Sequence, residues 1–266
     1  AGLSLIFGMM DVVNLAHGAF YMLGAYVALI VVQRTDQFWL ALLLAPLVVG
    51  LLGLVLEPLL LRRLRGRHLD QVLLTIGISL VIADLIGLTF GREIRSLPVP
   101  AGLDHSISLM GGDYPVYRLF VIAFGVALAA LLGVVHRRTQ LGALIRAGVQ
   151  DAPMLAALGV NIDRLFAGTF AVGAALAGLA GVIAAPIFGV FPGMDIDALI
   201  YSLIVVVVGG LGTLSGAFAG AALVGPADTF GKVLFPQFAL ALIFAIMALV
   251  LLLRPTGLLG RVRIAR

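Results

Sequence analysis

The sequence predicts an all-α fold, a polytopic transmembrane helix bundle of about eight membrane segments, and three observations predict it. Hydrophobic residues make up 62% of the chain and charged residues only 11%, against roughly 45–50% and 25% in soluble domains, so water is not the main solvent of this fold. Apolar windows near the length that crosses a bilayer, about 20 residues, recur along the chain. The 33 glycines suit helices whose backbones approach closely through small residues. With no cysteine the chain has neither disulfides nor thiolate chemistry. We treat residues 1–266 as one membrane domain.

Taken in order, residues 1–10 read as the tail of an apolar segment whose start is absent, not as a signal peptide. Spans follow at 15–32, 38–61, 72–90, 117–135, 165–185 and 238–253. Residues 199–224 are apolar too, but Gly209-Gly-Leu-Gly-Thr-Leu-Ser-Gly216 interrupts them. So dense a glycine cluster breaks a helix, and irregular backbone at membrane depth survives only where protein or a wet cavity satisfies its polar groups. Two short helices meeting at a turn are expected, either spanning twice or re-entering from one side.

Arginines set the orientation. Arg62, Arg63, Arg65 and Arg67 share one loop, Arg137, Arg138, Arg146 and Arg164 another, and Arg254, Arg261, Arg263 and Arg266 the C-terminus. Loops rich in Lys and Arg stay in the cytoplasm, so this end is predicted to face inward. Topology accounts for the net charge of +4, and no nucleic-acid role is needed.

No catalytic constellation is present: His17, His68, His105 and His136 are scattered without metal-site or nucleophile–base spacing. The glycine cluster has no lysine, so it is not a phosphate loop. Polar groups at membrane depth are the functional candidates. Asn14, His17, Gly18 and Tyr21 lie where two apolar helices join. Asn14 either caps the next helix or lines a path, and His17 either bonds a neighbouring helix or lines that path. Gly18 and Gly24, with Ala16, Ala19 and Ala25, form a small-residue face, and Gly168, Gly173, Gly178 and Gly181 read as packing positions. Thr75 and Ser79 share one face of a helix and either line a path or bond backbone carbonyls. Gly209, Gly210, Gly212 and Thr213 offer backbone dipoles to a passing polar solute, or serve close packing alone. Asp84 is the most isolated intramembrane acid. An outer-end aspartate reaching interfacial water and a coupling-ion site are its two readings. Glu57 is expected to pair with Arg62 and Arg63.

Between two spans lies a polar island, residues 137–161, too long and too regularly patterned for a plain connection. Together with the rest of the chain it carries a resemblance. The run Asn14-Leu-Ala-His-Gly-Ala-Phe-Tyr-Met-Leu-Gly-Ala-Tyr26, the stretch Arg146-Ala-Gly-Val-Gln-Asp-Ala-Pro-Met-Leu-Ala-Ala-Leu-Gly-Val-Asn161, the break Gly209-Gly-Leu-Gly-Thr213 and the close Arg254-Pro-Thr-Gly-Leu-Leu-Gly260 resemble the LivH-type permeases of branched-chain amino acid ABC importers. The likeness spans the chain, and it is poor for the substrate, since urea, amide and other amino-acid importers share the pattern.

The resemblance implies a transmembrane permease of a bacterial inner membrane, not an enzyme. Its implied partners are a LivM-like second permease, two ATP-binding subunits and a periplasmic substrate-binding protein, with ATP and Mg used by partners and no cofactor held here. It also implies that residues 139–161 form a cytoplasmic coupling region, with Arg146, Gln150, Asp151, Met154, Ala157 and Gly159 as ATPase-coupling residues. Gln150-Asp151-Ala152 replaces the usual Glu-Ala-Ala, and Pro153 fits an early helical position. An ion-coupled carrier and a structural scaffold are the rival classes.

Overall fold

The computed structural model describes residues 1–10, 13–109 and 112–260; Arg261, Arg263 and Arg266 lie outside the described residues. The helices are α1 (Gly2–Met10), α2 (His17–Thr35), α3 (Phe38–Leu56), α4 (His68–Phe90), α5 (Val116–Arg138), α6 (Gln140–Gln150), α7 (Ala152–Ala157), α8 (Ile162–Phe188), α9 (Met194–Gly209), α10 (Leu214–Leu234) and α11 (Ala239–Leu253). A hairpin of β1 (Ser106–Leu109) and β2 (Gly112–Pro115) precedes α5, with Ser106 opposite Pro115 and Ile107 opposite Tyr114. Among the described residues, six helical segments are long and apolar enough to cross a membrane: α2, α3 continued to Leu64, α4, α5, α8, and α11 with the turn before it. The pair α9 and α10, bent by 112°, raises the number to seven at most.

The expected count of about eight therefore holds only approximately. α1, nine residues from Gly2 to Met10, is not among these segments. α9 starts at Met194 and α10 runs to Leu234, so most of the stretch between the apolar segments read at 199–224 and 238–253 is helix. Pro226 sits inside α10 and removes one backbone donor, a loss that membrane helices tolerate when neighbours satisfy the freed group.

The bundle is built around α8. Its Phe170, Ala174, Ala177, Val182 and Ala185 are buried, and it packs on α2 and α3, which also pack on each other. Lipid offers helices no hydrophobic incentive to associate, so close approach has to supply the contact energy. Gly24 of α2 lies directly on the backbone of Gly178, and Gly181 on the Tyr21 carbonyl. A methyl group on Gly53 of α3 would stand 2.8 Å from the Ala174 side chain. Gly173 receives the Ile6 side chain of α1, whereas Gly168 has nothing within 4 Å, so it is no packing position. The core continues through Phe20, Met22, Tyr26 and Leu29 of α2. At the far end Arg95 and Val190 exchange backbone hydrogen bonds of 2.8 Å, and the Tyr117 hydroxyl donates to the Ile183 carbonyl at 2.9 Å.

α3 ends differently from expectation. Pro58 has no N–H to give, the helical ladder loosens there, and the chain passes through a π turn at Glu57–Leu61 and a 3-10 turn at Arg62–Leu64. The turns carry Arg65 back over Glu57, so the buried Glu57 carboxylate pairs with Arg65, not with Arg62 or Arg63. Arg65 also reaches Asp163 Oδ1 at 2.5 Å, Arg62 pairs with the same carboxylate, and the Arg65 guanidinium lies 4.3 Å from the Phe166 ring centre. This cluster ties the end of α3 to the first turn of α8.

Overpacking a tight contact typically costs about 1–3 kcal/mol. Gly178→Leu is therefore expected to lower the thermal midpoint of the detergent-purified permease, while Gly77→Leu, at an open position, leaves it in place. Equal midpoints for the two variants would contradict the packing account.

Candidate functional site

The Arg-rich end gathers the helix break, the polar island and the tail after α11. At the break, Gly210 and Gly212 have φ of 113° and 73°, values that side chains with a Cβ rarely adopt. The Thr213 hydroxyl donates to the Gly210 carbonyl at 3.0 Å. Protein, not water alone, satisfies the freed groups: Leu258 N–H and Leu259 N–H donate to the Val208 and Gly209 carbonyls at 2.9 Å each. From the other side the Ser4 hydroxyl donates to the Thr213 carbonyl at 2.9 Å. A methyl group on Gly8 of α1 would stand 2.9 Å from the Gly212 carbonyl oxygen. The break thus sits beside the tail at the Arg-rich end, not at mid-bundle. An open crevice of about 1120 Å³ runs from it between α1, α5 and α6.

The polar island folds as two helices, not one. Thr139 caps α6 by accepting from Gly142 N–H at 3.2 Å, and α6 lies with Gly142 on the end of α5 and Gly148 against Met9 of α1. Asp151 then turns the chain with an extended φ of −155° and caps α7 by accepting from Met154 N–H at 2.8 Å, a bond typical of helix starts. Pro153 occupies the first turn of α7, where its missing N–H costs nothing. Gly159, at φ 84°, ends the lobe, and Asn161 caps α8 by accepting from Arg164 N–H at 3.0 Å.

Gln150 is consequently the last residue of α6, and Asp151 divides the 139–161 region because its side chain starts a new helix. Asp151, Met154, Ala157 and Gly159 all lie exposed on one lobe. Arg146 does not join them: it is half-buried on α6 and faces the crevice. Leu155 is the tooth that anchors α7, at 7% exposure, while Leu158, at 70%, stands beside Met154 at 58%. Sequence reasoning passed over Leu158, although an apolar residue beside the helix-ending Gly159 was its visible signal.

The remaining site residues fall into two groups at the start of α2. Asn14 and Thr75 are buried together: Leu15 N–H donates to Thr75 Oγ1 at 3.2 Å, and Thr75 donates to the Val72 carbonyl at 2.9 Å. Asn14 Oδ1 accepts from Ala16 N–H at 3.1 Å, closing a turn before the helix instead of capping it. Thr75 thus pins the approach to α2, while Ser79, one turn further along α4, is half-buried. His17 is buried beside Gly2 of α1, and Gly18 lies on the Asp195 carbonyl at the start of α9. Tyr21 is half-buried one turn further along α2. Asn14 Nδ2, His17 Nδ1 and Asp195 Oδ1 are buried without a protein partner among the described residues. Asp195 was not visible as a site residue in the sequence, because only the packing of α9 on α2 brings it to Gly18. Asp84 lies exposed on α4 among Leu80, Val81, Leu85 and Leu88. No group of three or more His, Asp or Glu among the described residues is placed to hold a metal ion.

Comparison with known proteins gives a consistent result. Residues 1–251 match the family described as branched-chain amino acid transport system / permease component. The chain is 32% identical to the high-affinity branched-chain amino acid transport system permease protein BraD of Pseudomonas aeruginosa, over 98% of this chain and 90% of that protein. It is 29% identical to the corresponding LivH protein of Escherichia coli, over 98% and 89%. The LivM permease protein of Salmonella typhimurium is 29% identical, over 98% of this chain and 67% of that protein. No solved structure matches the chain. The chain belongs to the family of branched-chain amino acid transport permease components, as a multi-pass membrane protein.

Proposed function

We propose that this chain is the permease subunit of an ABC importer in a bacterial inner membrane, and that it takes up branched-chain or related amino acids. In this reading ATP and Mg act in two partner ATPase subunits, a LivM-like permease completes the pore and a periplasmic binding protein delivers the solute. The exposed apolar lobe of α7 carries the reading. Met154 and Leu158 stand out from a capped, six-residue helix beside the arginines that belong in the cytoplasm. A soluble partner's groove is the natural occupant of such a lobe.

The packing supplies a route for work. A push on α7 passes through Asp151 to α6, from Gly148 to Met9 of α1, and from Gly8 and Ser4 to Gly212 and Thr213 at the break. A second branch enters α8 through the Asn161 cap and the Asp163 ion pairs. Packed elements with two discrete arrangements transmit such a push, and rocking between outward-open and inward-open bundles is the transition that fits. Asn14, His17, Gly18, Tyr21, Thr75 and Ser79 near the start of α2, with Gly209, Gly210, Gly212 and Thr213 at the break, are the proposed solute path. Asp84 has no place in it, because its carboxylate faces outward from α4.

Three variants test the proposal. Met154→Asp combined with Leu158→Asp alters exposed positions only, so the permease keeps its thermal midpoint. ATPase co-purifying with it falls at least tenfold on the order expected for loss of a central anchor, and undiminished co-purification contradicts the assignment. Gly210→Val places a Cβ where φ is 113° and where Gly260 already crowds the backbone. It should abolish ATP-driven uptake in proteoliposomes of the complete transporter, and wild-type uptake would remove the break from the mechanism. Asp84→Asn is expected to leave ATP-dependent uptake intact; loss of uptake together with its pH dependence would favour an ion-coupled carrier.

A further inference from the structure

The crevice beside the break has a composition that solute passage does not explain. Its mouth carries His136, Arg137 and Arg138 from the last turn of α5 and Arg146 from α6, and no acid is among the described residues that line it. None of the three arginines makes an ion pair among the described residues, and Arg146 has a terminal nitrogen buried without a hydrogen-bond partner. Leaving a buried guanidinium N–H unmet is costly, so an acceptor belongs there. A zwitterionic amino acid would bring an ammonium group into this cluster and find no carboxylate among the described residues to receive it.

The depth of the crevice specifies the acceptor further. From Arg138 the lining continues up α5 through Val134, Gly133, Ala130 and Ala129, about 13 Å toward the bundle's middle at 1.5 Å per residue. Small side chains there leave a smooth apolar trough, and Leu5 and Phe7 of α1 and Phe218 of α10 form other walls. An anionic head at the arginines with a hydrocarbon tail along the trough meets both demands. The volume, about 1120 Å³, exceeds what a small anion needs. The arginines also stand at the end where, on the orientation above, the anionic cytoplasmic leaflet lies, and basic pockets between helices at that level bind acidic head groups.

We infer that this crevice is a binding site for an anionic phospholipid, whose phosphate takes Arg146 with Arg137 and Arg138 and whose acyl chain lies along α5. The lipid occupies the α5 and α6 side of the crevice, leaving the break to the proposed solute path, and it braces the contact through which α6 reaches α1.

The test uses the full-chain permease in detergent, titrated with dioleoyl phosphatidylglycerol, dioleoyl phosphatidylcholine or inorganic phosphate. Thermal midpoint and lipid retained in native mass spectrometry are the readouts. Phosphatidylglycerol raises the midpoint saturably and stays bound, whereas phosphatidylcholine and phosphate do neither. Arg146→Gln and the double variant Arg137→Gln with Arg138→Gln each weaken the apparent affinity at least fivefold, Arg146→Lys retains most of it, and Arg63→Gln, remote from the crevice, changes nothing. If Arg146→Gln fails to fold, the double variant decides alone. Equal stabilisation by phosphatidylcholine, full replacement by inorganic phosphate, an unchanged affinity in the arginine variants, or displacement of the lipid when the second permease or the ATPase binds would each overturn the inference.

Discussion

Close approach of backbones along α8 is the constraint on which the rest of this structure depends. In hydrocarbon the helices gain nothing from burying apolar surface against each other, and contact has to come from van der Waals packing at short range. Gly24 on Gly178, Tyr21 on Gly181 and Gly53 on Ala174 seat α2 and α3 against α8. That seating places the start of α2 beside α1 and α9, where His17, Gly18 and Asp195 meet. The outer faces of α3, α4, α5 and α11, with residues such as Leu43, Leu73, Val126 and Leu252 exposed, then meet lipid or partner subunits. The polar content of the bundle is thereby confined to a few joints.

The second constraint concerns backbone hydrogen bonds. A helix interrupted at Gly210–Thr213 leaves backbone groups without helical partners, and irregular backbone in a membrane protein persists where protein or a wet cavity satisfies them. The tail takes over that role through Leu258 and Leu259, and Ser4 of α1 holds the opposite lip. The break is therefore not a loose hinge. It is a junction shared by α1, α9, α10 and the tail, and any motion of α1 or the tail must shift it. α6 lies on α1 at Gly148, so the same junction is one contact away from the polar island.

Much of this was legible in the sequence because hydropathy over about 20 residues records the bilayer directly. The spans at α2, α3, α4, α5, α8 and α11 follow from it, and the interruption at Gly209 follows from the glycine cluster. What escaped the reading depends on contacts between distant segments. α10 continues through Pro226, where a local window reads proline as a helix end. Glu57 takes Arg65 because a π turn at Pro58 rotates the chain, and that turn lies below the resolution of propensity. The polar island is divided at Asp151, so Gln150 and Arg146 lie on α6, where both line the crevice, and not on the α7 lobe. Asp195 reaches Gly18 only through the α2–α9 crossing. Sequence period finds faces, whereas partners across the bundle are properties of the fold.

The central claim is that this membrane-embedded chain does no energy conversion of its own and is driven from outside through α7. Its most direct test is solute accumulation against a gradient in proteoliposomes that hold the two permeases with and without the ATPase subunits, in the presence of binding protein. The account predicts accumulation only when the ATPases and ATP are both present. Uphill accumulation by the permeases alone, without nucleotide, would contradict it.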